Sequence, residues 1–193
     1  RSNNFIHNYN TNIFERVNTN DLIFNSSPKI NKVGLISNYE FIFKNSNTYS
    51  KRSEINKENN DHYLSGLFQF NSSYPLIKRN QKFNHIINPK LSLKLNPGHS
   101  KDLSKNEYKI DVNNIFNLER ISSNETLESG LSLAYGINYN LTNEKNNFDL
   151  LSVKFANNIR LEDNDDLERT NQINSKTSNF FGEIKFSPMN FFT

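Results

Sequence analysis

The sequence has no cysteine, no tryptophan, one methionine and six glycines in 193 residues. Without cysteine there is no disulfide scaffold, no thiolate metal site and no cysteine nucleophile, and the redox compartment is left open. No apolar run approaches the roughly 18 residues that a membrane-spanning helix requires. Apolar side chains make up only 34% of the chain and the mean hydropathy is −0.77. That is lean beside the about 45–50% of a soluble domain, counted with glycine. Charge of one sign is scarce too: 23 basic and 20 acidic residues leave a net +3 with no dense basic block, which argues against a nucleic-acid partner. No basic leader followed by an apolar stretch opens the chain. It starts at Arg1 and stops within Phe191-Phe192-Thr193, so both ends read as internal, and residues 1–193 are expected to be part of one larger domain.

Asparagine is abundant: 37 residues, close to a fifth of the chain. Such bias suits a disordered polar tract, but 16 Phe and 8 Tyr are too many rings for solvated disorder. The rings must be sheltered by something other than water.

The clearest pattern is an alternation with period two over residues 127–141. Leu127, Ser129, Leu131, Leu133, Tyr135, Ile137, Tyr139 and Leu141 fall on one face; Glu128, Gly130, Ser132, Ala134, Gly136, Asn138 and Asn140 fall on the other. A helix, with its repeat of 3.6, would scatter these residues around its circumference, so the segment reads as a strand. At about 3.4 Å per residue its 15 residues span roughly 50 Å, whereas strands of soluble domains average about 5–6 residues. Weaker alternations cover 33–44, 62–70, 85–95, 150–161 and 180–186, with a less regular candidate at 13–24. The fold class is therefore all-β, with about seven or eight long strands and no helix.

Connections alternate in length. Residues 45–61, 96–126 and 162–179 are long and polar, 25–32 and 142–147 are short, and 71–84 is intermediate, its SYPLIKR run extending the preceding strand. An antiparallel up-and-down transmembrane barrel sorts its connections in this way, with short periplasmic turns and long outer loops. Transmembrane barrel strands also alternate apolar-out and polar-in. The reading places Leu131, Leu133, Tyr135 and Ile137 against lipid, and Lys90, Lys94, Ser132, Asn138 and Lys154 toward the lumen. It predicts that Leu133→Arg costs about 2–4 kcal/mol near the bilayer midplane while Ser132→Arg is mild. Glycine and alanine at 130, 134 and 136 suit a crowded inner wall.

Over residues 84–193 the chain resembles the outer-membrane barrel of the lipopolysaccharide-assembly family (LptD, also called organic solvent tolerance protein) in its alphaproteobacterial form. Three motifs carry the likeness. The family's strand with a proline, followed by a proline-containing loop, matches Ile87-Asn88-Pro89 with Asn96-Pro97. Its Asn-Leu-Phe…Asn-Arg-Phe stretch, leading through a turn to a strand ending Tyr-Gly, matches Asn114-Ile115-Phe116…Glu119-Arg120-Ile121 and Tyr135-Gly136. Its Arg-Leu plus acidic loop, leading to a strand ending Ser-Pro, matches Arg160-Leu161 with Glu162 to Asp166 and Ser187-Pro188. The family's Gly-x-Asp-Arg turn is Ser123-Asn124-Glu125-Thr126 here, and Glu119 stands where the family has asparagine.

The resemblance implies a location in the outer membrane of a Gram-negative bacterium, contact with membrane lipids, and lipopolysaccharide as cargo. It further implies delivery by periplasmic bridge components, a plug lipoprotein of the LptE kind inside the barrel, and release of lipid chains between the first and last strands. This segment would be interior wall. The alternatives are a general porin or adhesin barrel, or a soluble β-sandwich.

No enzyme, cofactor or metal is expected. His7, His62, His85 and His99 are scattered, without a second ligand at metal-binding spacing. His99 near Asp102, with Ser100 and Ser104 around, makes a trio of the kind any polar loop offers, with no oxyanion hole. The acidic run Glu162–Glu168 lacks the turn glycine and closing glutamate of a calcium loop and reads as a solvated outer loop, with weak divalent-cation binding as its other reading.

Overall fold

The computed structural model describes residues 1–8, 13–53, 59–104, 108–121, 123–144 and 148–187. Ten strands form one antiparallel sheet: β1 (Ser2–Asn8), β2 (Phe14–Asn25), β3 (Lys29–Ile30), β4 (Ile36–Lys51), β5 (Asn59–Ser73), β6 (Leu76–Arg79), β7 (Phe83–Asn96), β8 (Gly130–Asn143), β9 (Asp149–Arg160) and β10 (Phe181–Phe186). The order is β1-β2-β4-β5-β7-β8-β9-β10, with β3 on β4 and β6 on β7. Each long strand thus pairs with its neighbour in sequence, as in an up-and-down meander, and the sheet does not close on itself. No helix among the described residues is long and apolar enough to cross a membrane.

Register fixes which residues share a face. Leu133 lies opposite Leu93 and Ile159, and Leu93 opposite Phe70. Ser132 lies opposite Lys94 and Arg160, and Lys94 opposite Gln69. Because neighbouring side chains on a strand point to opposite faces, the rows sort cleanly. One face carries Phe41, Phe43, Phe68, Phe70, Leu91, Leu93, Leu95, Leu131, Leu133, Tyr135, Ile137, Phe155 and Ile159. Asn157, opposite Tyr135, is its exception, buried with Nδ2 donating to the Ser178 and Asn179 carbonyls; elsewhere no described segment packs on this face, and Tyr135, Ile137, Phe155 and Ile159 stand 39–49% exposed. The other face carries Asn, Ser, Thr, Gln and Lys, and it is covered.

The cover is the chain's own. The described residues of 97–129, together with 161–180, fold back across the polar face, where Leu103, Ile110, Val112, Ile115 and Ile121 join Leu167 and Ile173 over Ala134, Ala156 and Phe181. A second cluster sets Leu127 and Leu118 on Ile42 and Leu67. The two segments also bind each other: the Leu103 amide donates to the Asp166 carbonyl at 2.7 Å, and Asn171 Nδ2 to the Tyr108 carbonyl at 2.9 Å. This inlay corrects the expectation of solvated outer loops at 96–126 and 162–179. Their apolar residues are too widely spaced to register as a strand or helix, yet they converge in space.

Three further expectations change. Strand β8 begins at Gly130, not at 127; Leu127, Glu128 and Ser129 are buried parts of the inlay. The stretch 45–61 is largely strand, because β4 runs to Lys51 and β5 starts at Asn59. Its alternation is polar on both faces, which hides it from a hydrophobic reading, but Ser46, Thr48 and Ser50 are buried while Asn45, Asn47 and Tyr49 are not. Strand β1 had no periodic signal at all. The short β6 bears out the extension of strand structure through the SYPLIKR run.

Candidate functional site

The covered face is where the chemistry gathers. Asn114 shapes the inlay: its Nδ2 donates to the Lys109 carbonyl at 2.7 Å, its Oδ1 accepts from the Asp111 amide at 2.9 Å, and Asp111 Oδ1 caps the Asn113 amide at 2.7 Å. These turns satisfy backbone groups that no ladder serves. They aim Phe116 at the sheet, over Gly136. A Cβ at Gly136 would lie 2.4 Å from the Phe155 carbonyl oxygen and 3.0 Å from Phe116 Cζ. Glycine is required there by close approach.

Four residues further on, Arg120 enters the sheet face with its side chain fully buried. Its Nε donates to Glu128 Oε2 at 2.7 Å, one terminal nitrogen to Asn158 Oδ1 at 2.8 Å, and the other to Glu128 Oε1 and to Ser132 Oγ at 3.0 Å. Arg160 approaches the same carboxylate from β9, with a terminal nitrogen 2.5 Å from Glu128 Oε1, and also donates to the Ser129 carbonyl. One buried carboxylate is thus shared by two guanidiniums in a bidentate geometry that only arginine provides. Burial on its own raises the pKa of Glu128, but the charges of Arg120, Lys94 and Arg160 outweigh it and hold the carboxyl well below its ordinary range.

Two further anchors hold the inlay. Lys94 donates to the carbonyls of Asn117 and Leu118, and Gln69 Nε2 to that of Phe116 at 2.7 Å. At the β1–β2 side, buried Lys44 pairs with Asp21 at 3.1 Å and Glu119 at 3.5 Å, while Arg1 reaches Asp21 at 2.5 Å and Glu119 at 3.0 Å. The inlay therefore spans the sheet from β2 to β9, with charged groups at both ends.

Lys90, Lys94, Ser132, Asn138 and Lys154 do share the polar face, but the inlay divides them. Lys94 and Ser132 are 2–3% exposed and sealed beneath it. Ser132 sits under Arg120, so an arginine there would meet two guanidiniums, and Ser132→Arg cannot be mild. Lys154 donates to Asn113 Oδ1 at 2.7 Å and pairs with Glu183 at 3.2 Å. Lys90 is half-buried, with its ammonium 5.9 Å from the centre of the Phe116 ring.

Asn114, Phe116 and Arg120 come together in the inlay, and Tyr135 stands on the bare face. Pro89 occupies the gap where β5 has stopped and β6 has begun, its carbonyl accepting from the Tyr74 amide at 3.1 Å. A residue without an N–H costs no ladder bond at such a break. Pro97 closes β7. Pro188 lies outside the described residues.

Sequence reasoning missed Glu128, Arg160, Asp21, Lys44 and Gln69 as a set. Their signal is present but faint: each is a large polar group at an inward position in rows otherwise made of Asn, Ser and Thr. The trio of His99, Asp102 and Ser100 disperses. His99 packs edge-on against Tyr63, Ser100 Oγ donates to Ser129 Oγ at 2.8 Å, and Asp102 Oδ1 caps Ser104. In the acidic run, Glu162, Asp163 and Asp165 are exposed, as a solvated loop would have them, whereas Leu167 is core and buried Glu168 accepts from the Thr170 amide at 2.5 Å, which corrects the solvated reading at its C-terminal end. Among the described residues no cluster could hold a metal ion.

No individually curated protein matches the sequence. A family model described as LPS transport system D (LptD) matches residues 26–193, most of the chain and all of the sheet from β3 onward. That family acts in lipopolysaccharide transport at the outer membrane of Gram-negative bacteria. With its all-β meander and the motif residues Asn114, Phe116 and Arg120 on the covered face, the chain belongs to the LptD family.

Proposed function

We propose that the chain is a stretch of interior wall in a larger, closed outer-membrane barrel, its bare face in lipid hydrocarbon and its covered face on the lumen through which the saccharide of lipopolysaccharide passes. The observation that carries this is the length of the bare apolar row. From Leu131 to Leu141 on β8 it runs ten residue steps, about 34 Å along the strand. At the about 45° tilt of barrel strands that becomes roughly 24 Å, close to the apolar band of about 25 Å in such walls. A row on a soluble sandwich would need a second sheet against it, and no described segment supplies one.

In this reading the ends of the strands at the β2–β4, β6–β7 and β8–β9 connections face the periplasm and the inlay is folded in from the outer side. The protein works as a conduit and not as an enzyme. It receives cargo from periplasmic bridge components, holds a plug lipoprotein of the LptE kind, and belongs to the C-terminal barrel domain of an alphaproteobacterial type, as the resemblance of 84–193 suggests. Its free edges at β1 and β10 are where further strands of the same wall pair.

The test is a depth series of arginines along β8, in protein refolded into lipid vesicles and titrated with denaturant. Ile137→Arg, beside the centre of the row, is expected to cost about 2–4 kcal/mol and Leu131→Arg, at its end, about 0–1 kcal/mol. Asn138→Arg on the covered face should be mild. A flat series means the bare face does not touch hydrocarbon.

A further inference from the structure

The cations of the covered face are mostly spoken for. Lys44, Lys94, Lys154, Lys185, Arg120 and Arg160 each donate to a carboxylate or a carbonyl. Lys90 has neither; its ammonium meets only the face of Phe116, at 5.9 Å. That contact is weak where water reaches it, so the charge is available to a stronger anionic partner.

A cleft of about 230 Å³ opens beside it, on the turn side of the inlay, lined by Asn38, Asn71, Ser73, Lys90 and Phe116 among others. Its polar groups retain bonding capacity. Asn38 spends Nδ2 on Glu40 Oε1 at 3.1 Å, and Asn71 accepts from Gln69 Nε2 at 2.6 Å, which leaves its own amide donors free. An apolar aromatic wall with a few convergent amides and hydroxyls and one cation is the make-up of a small-ligand site, and this combination selects a particular chemistry. The ammonium is a point charge suited to phosphate or carboxylate, the ring offers a flat face to the C–H side of a sugar, and Asn and Ser suit hydroxyls.

We propose that the Lys90–Phe116 cleft is a binding subsite for an acidic sugar, a saccharide unit bearing phosphate or carboxylate. The subsite rests on the reading of the covered face as the path of lipopolysaccharide, and it adds a defined stopping point just before the inlay. Phe116 is delivered by the inlay and Lys90 by the wall, so the subsite exists only while the inlay is docked.

A photo-crosslinking phenylalanine analogue at Asn71 in the full-length protein in living cells tests the subsite, with the same analogue at Asn140 as reference. Asn140 shares the face but lies four residues along β8 from Gly136, the partner of Lys90, or about 14 Å away. Heat-modifiable mobility checks assembly of every variant. The expected result is a lipopolysaccharide adduct at Asn71 that falls at least fivefold in Lys90→Ala, is retained in Lys90→Arg, and is unmoved by Lys185→Ala, which removes a cation of the same face that does not touch the inlay; the Asn140 adduct stays constant throughout. An Asn71 adduct indifferent to Lys90→Ala, or one that falls equally with Lys185→Ala, overturns the subsite in favour of a diffuse positive field. An adduct at Asn140 without one at Asn71 leaves the transport path standing and removes the subsite; no adduct at either removes both. In detergent, glucose 6-phosphate should bind more tightly than glucose or inorganic phosphate, and equal binding of phosphate alone would reduce the cleft to an anion site with no role for the ring.

Discussion

Glu128 is the residue on which the inlay's docking turns, and its replacement by glutamine gives a calculable result. In the native arrangement one carboxylate answers Arg120 through two nitrogens, Nε at 2.7 Å, and Arg160 through a third. Glutamine keeps the shape but removes the charge, leaving two fully buried guanidiniums facing each other with Lys94 close by. Breaking a buried pair by removing one partner costs about 3–5 kcal/mol, and here two cations lose the same anion, so the upper half of that range applies. Arg120→Met should cost less, near the lower end, because Arg160 still neutralises Glu128. The expected order is Glu128→Gln worse than Arg120→Met, the reverse of what side-chain volume alone would give.

The readout must be local, since the strands hold together without the inlay. Hydrogen exchange of the Leu127 and Ser129 amides, bonded to Tyr63 Oη at 3.0 Å and Ser100 Oγ at 2.9 Å, reports undocking directly. At about 1.4 kcal/mol per decade, a loss of 3–5 kcal/mol accelerates their exchange by roughly 10²–10³-fold or more. An acceleration below about tenfold for Glu128→Gln, or a larger effect for Arg120→Met, would refute the shared-carboxylate account.

Acid should act through the same group. The Glu128 carboxyl is held below its ordinary range in the docked state, so its stabilisation is complete above the free-chain value of about 4.3 and is lost as pH falls through the docked value. Inlay exchange should therefore be flat from pH 7 to 5 once intrinsic rates are removed, then rise below about pH 4, and Glu128→Gln should abolish that rise. Gly136→Val drives a branched side chain into the Phe155 carbonyl and Phe116; overpacking of this kind costs about 1–3 kcal/mol, measured by denaturant titration in vesicles, and an unchanged midpoint would mean Phe116 does not sit there. Gly130, at φ +88 with an Arg160 nitrogen 3.0 Å from a Cβ, should lose about 1–3 kcal/mol as Gly130→Val by the same titration, and no loss would place the start of β8 elsewhere.

Much of the sheet is written in the sequence because one apolar face and one polar face impose a pattern of period two. Leu131, Leu133, Tyr135, Ile137 and their neighbours on β7 and β9 could be assigned to one face without coordinates. The upper halves of β4 and β5 were not legible for the same reason inverted: beyond Phe43 the bare face becomes Asn45, Asn47 and Tyr49, and two polar faces leave no contrast. The inlay was illegible because its apolar residues have no period; Ile110, Val112, Ile115 and Ile121 are brought together by turns at Asp111 and Asn114 and not by a repeating element. Within the site, Ala134 and Gly136 did announce a crowded inner wall, whereas the partnership of Glu128 with Arg120 and Arg160 joins positions 8 and 32 residues apart that no local spacing connects.

On the membrane-wall reading proposed above, the division of labour between apolar and ionic contacts on the covered face follows from where the wall stands. An inlay held only by Ile115, Ile121, Leu167 and Ile173 would have no particular register, since hydrophobic contact is non-directional. Such residues would also be as well satisfied by the lipid beyond the wall as by the sheet. Arg120, Glu128 and Lys94 cannot move to lipid, because an unpaired charge there is costly, and their geometry is met in a single arrangement. The ionic groups therefore decide which face the inlay covers and where it sits, and the apolar cluster supplies the bulk of the burial once it is there. Lys90 stands just outside this closed set. Among the described residues its ammonium faces the Phe116 ring and pairs with no carboxylate, as an anchor would not do.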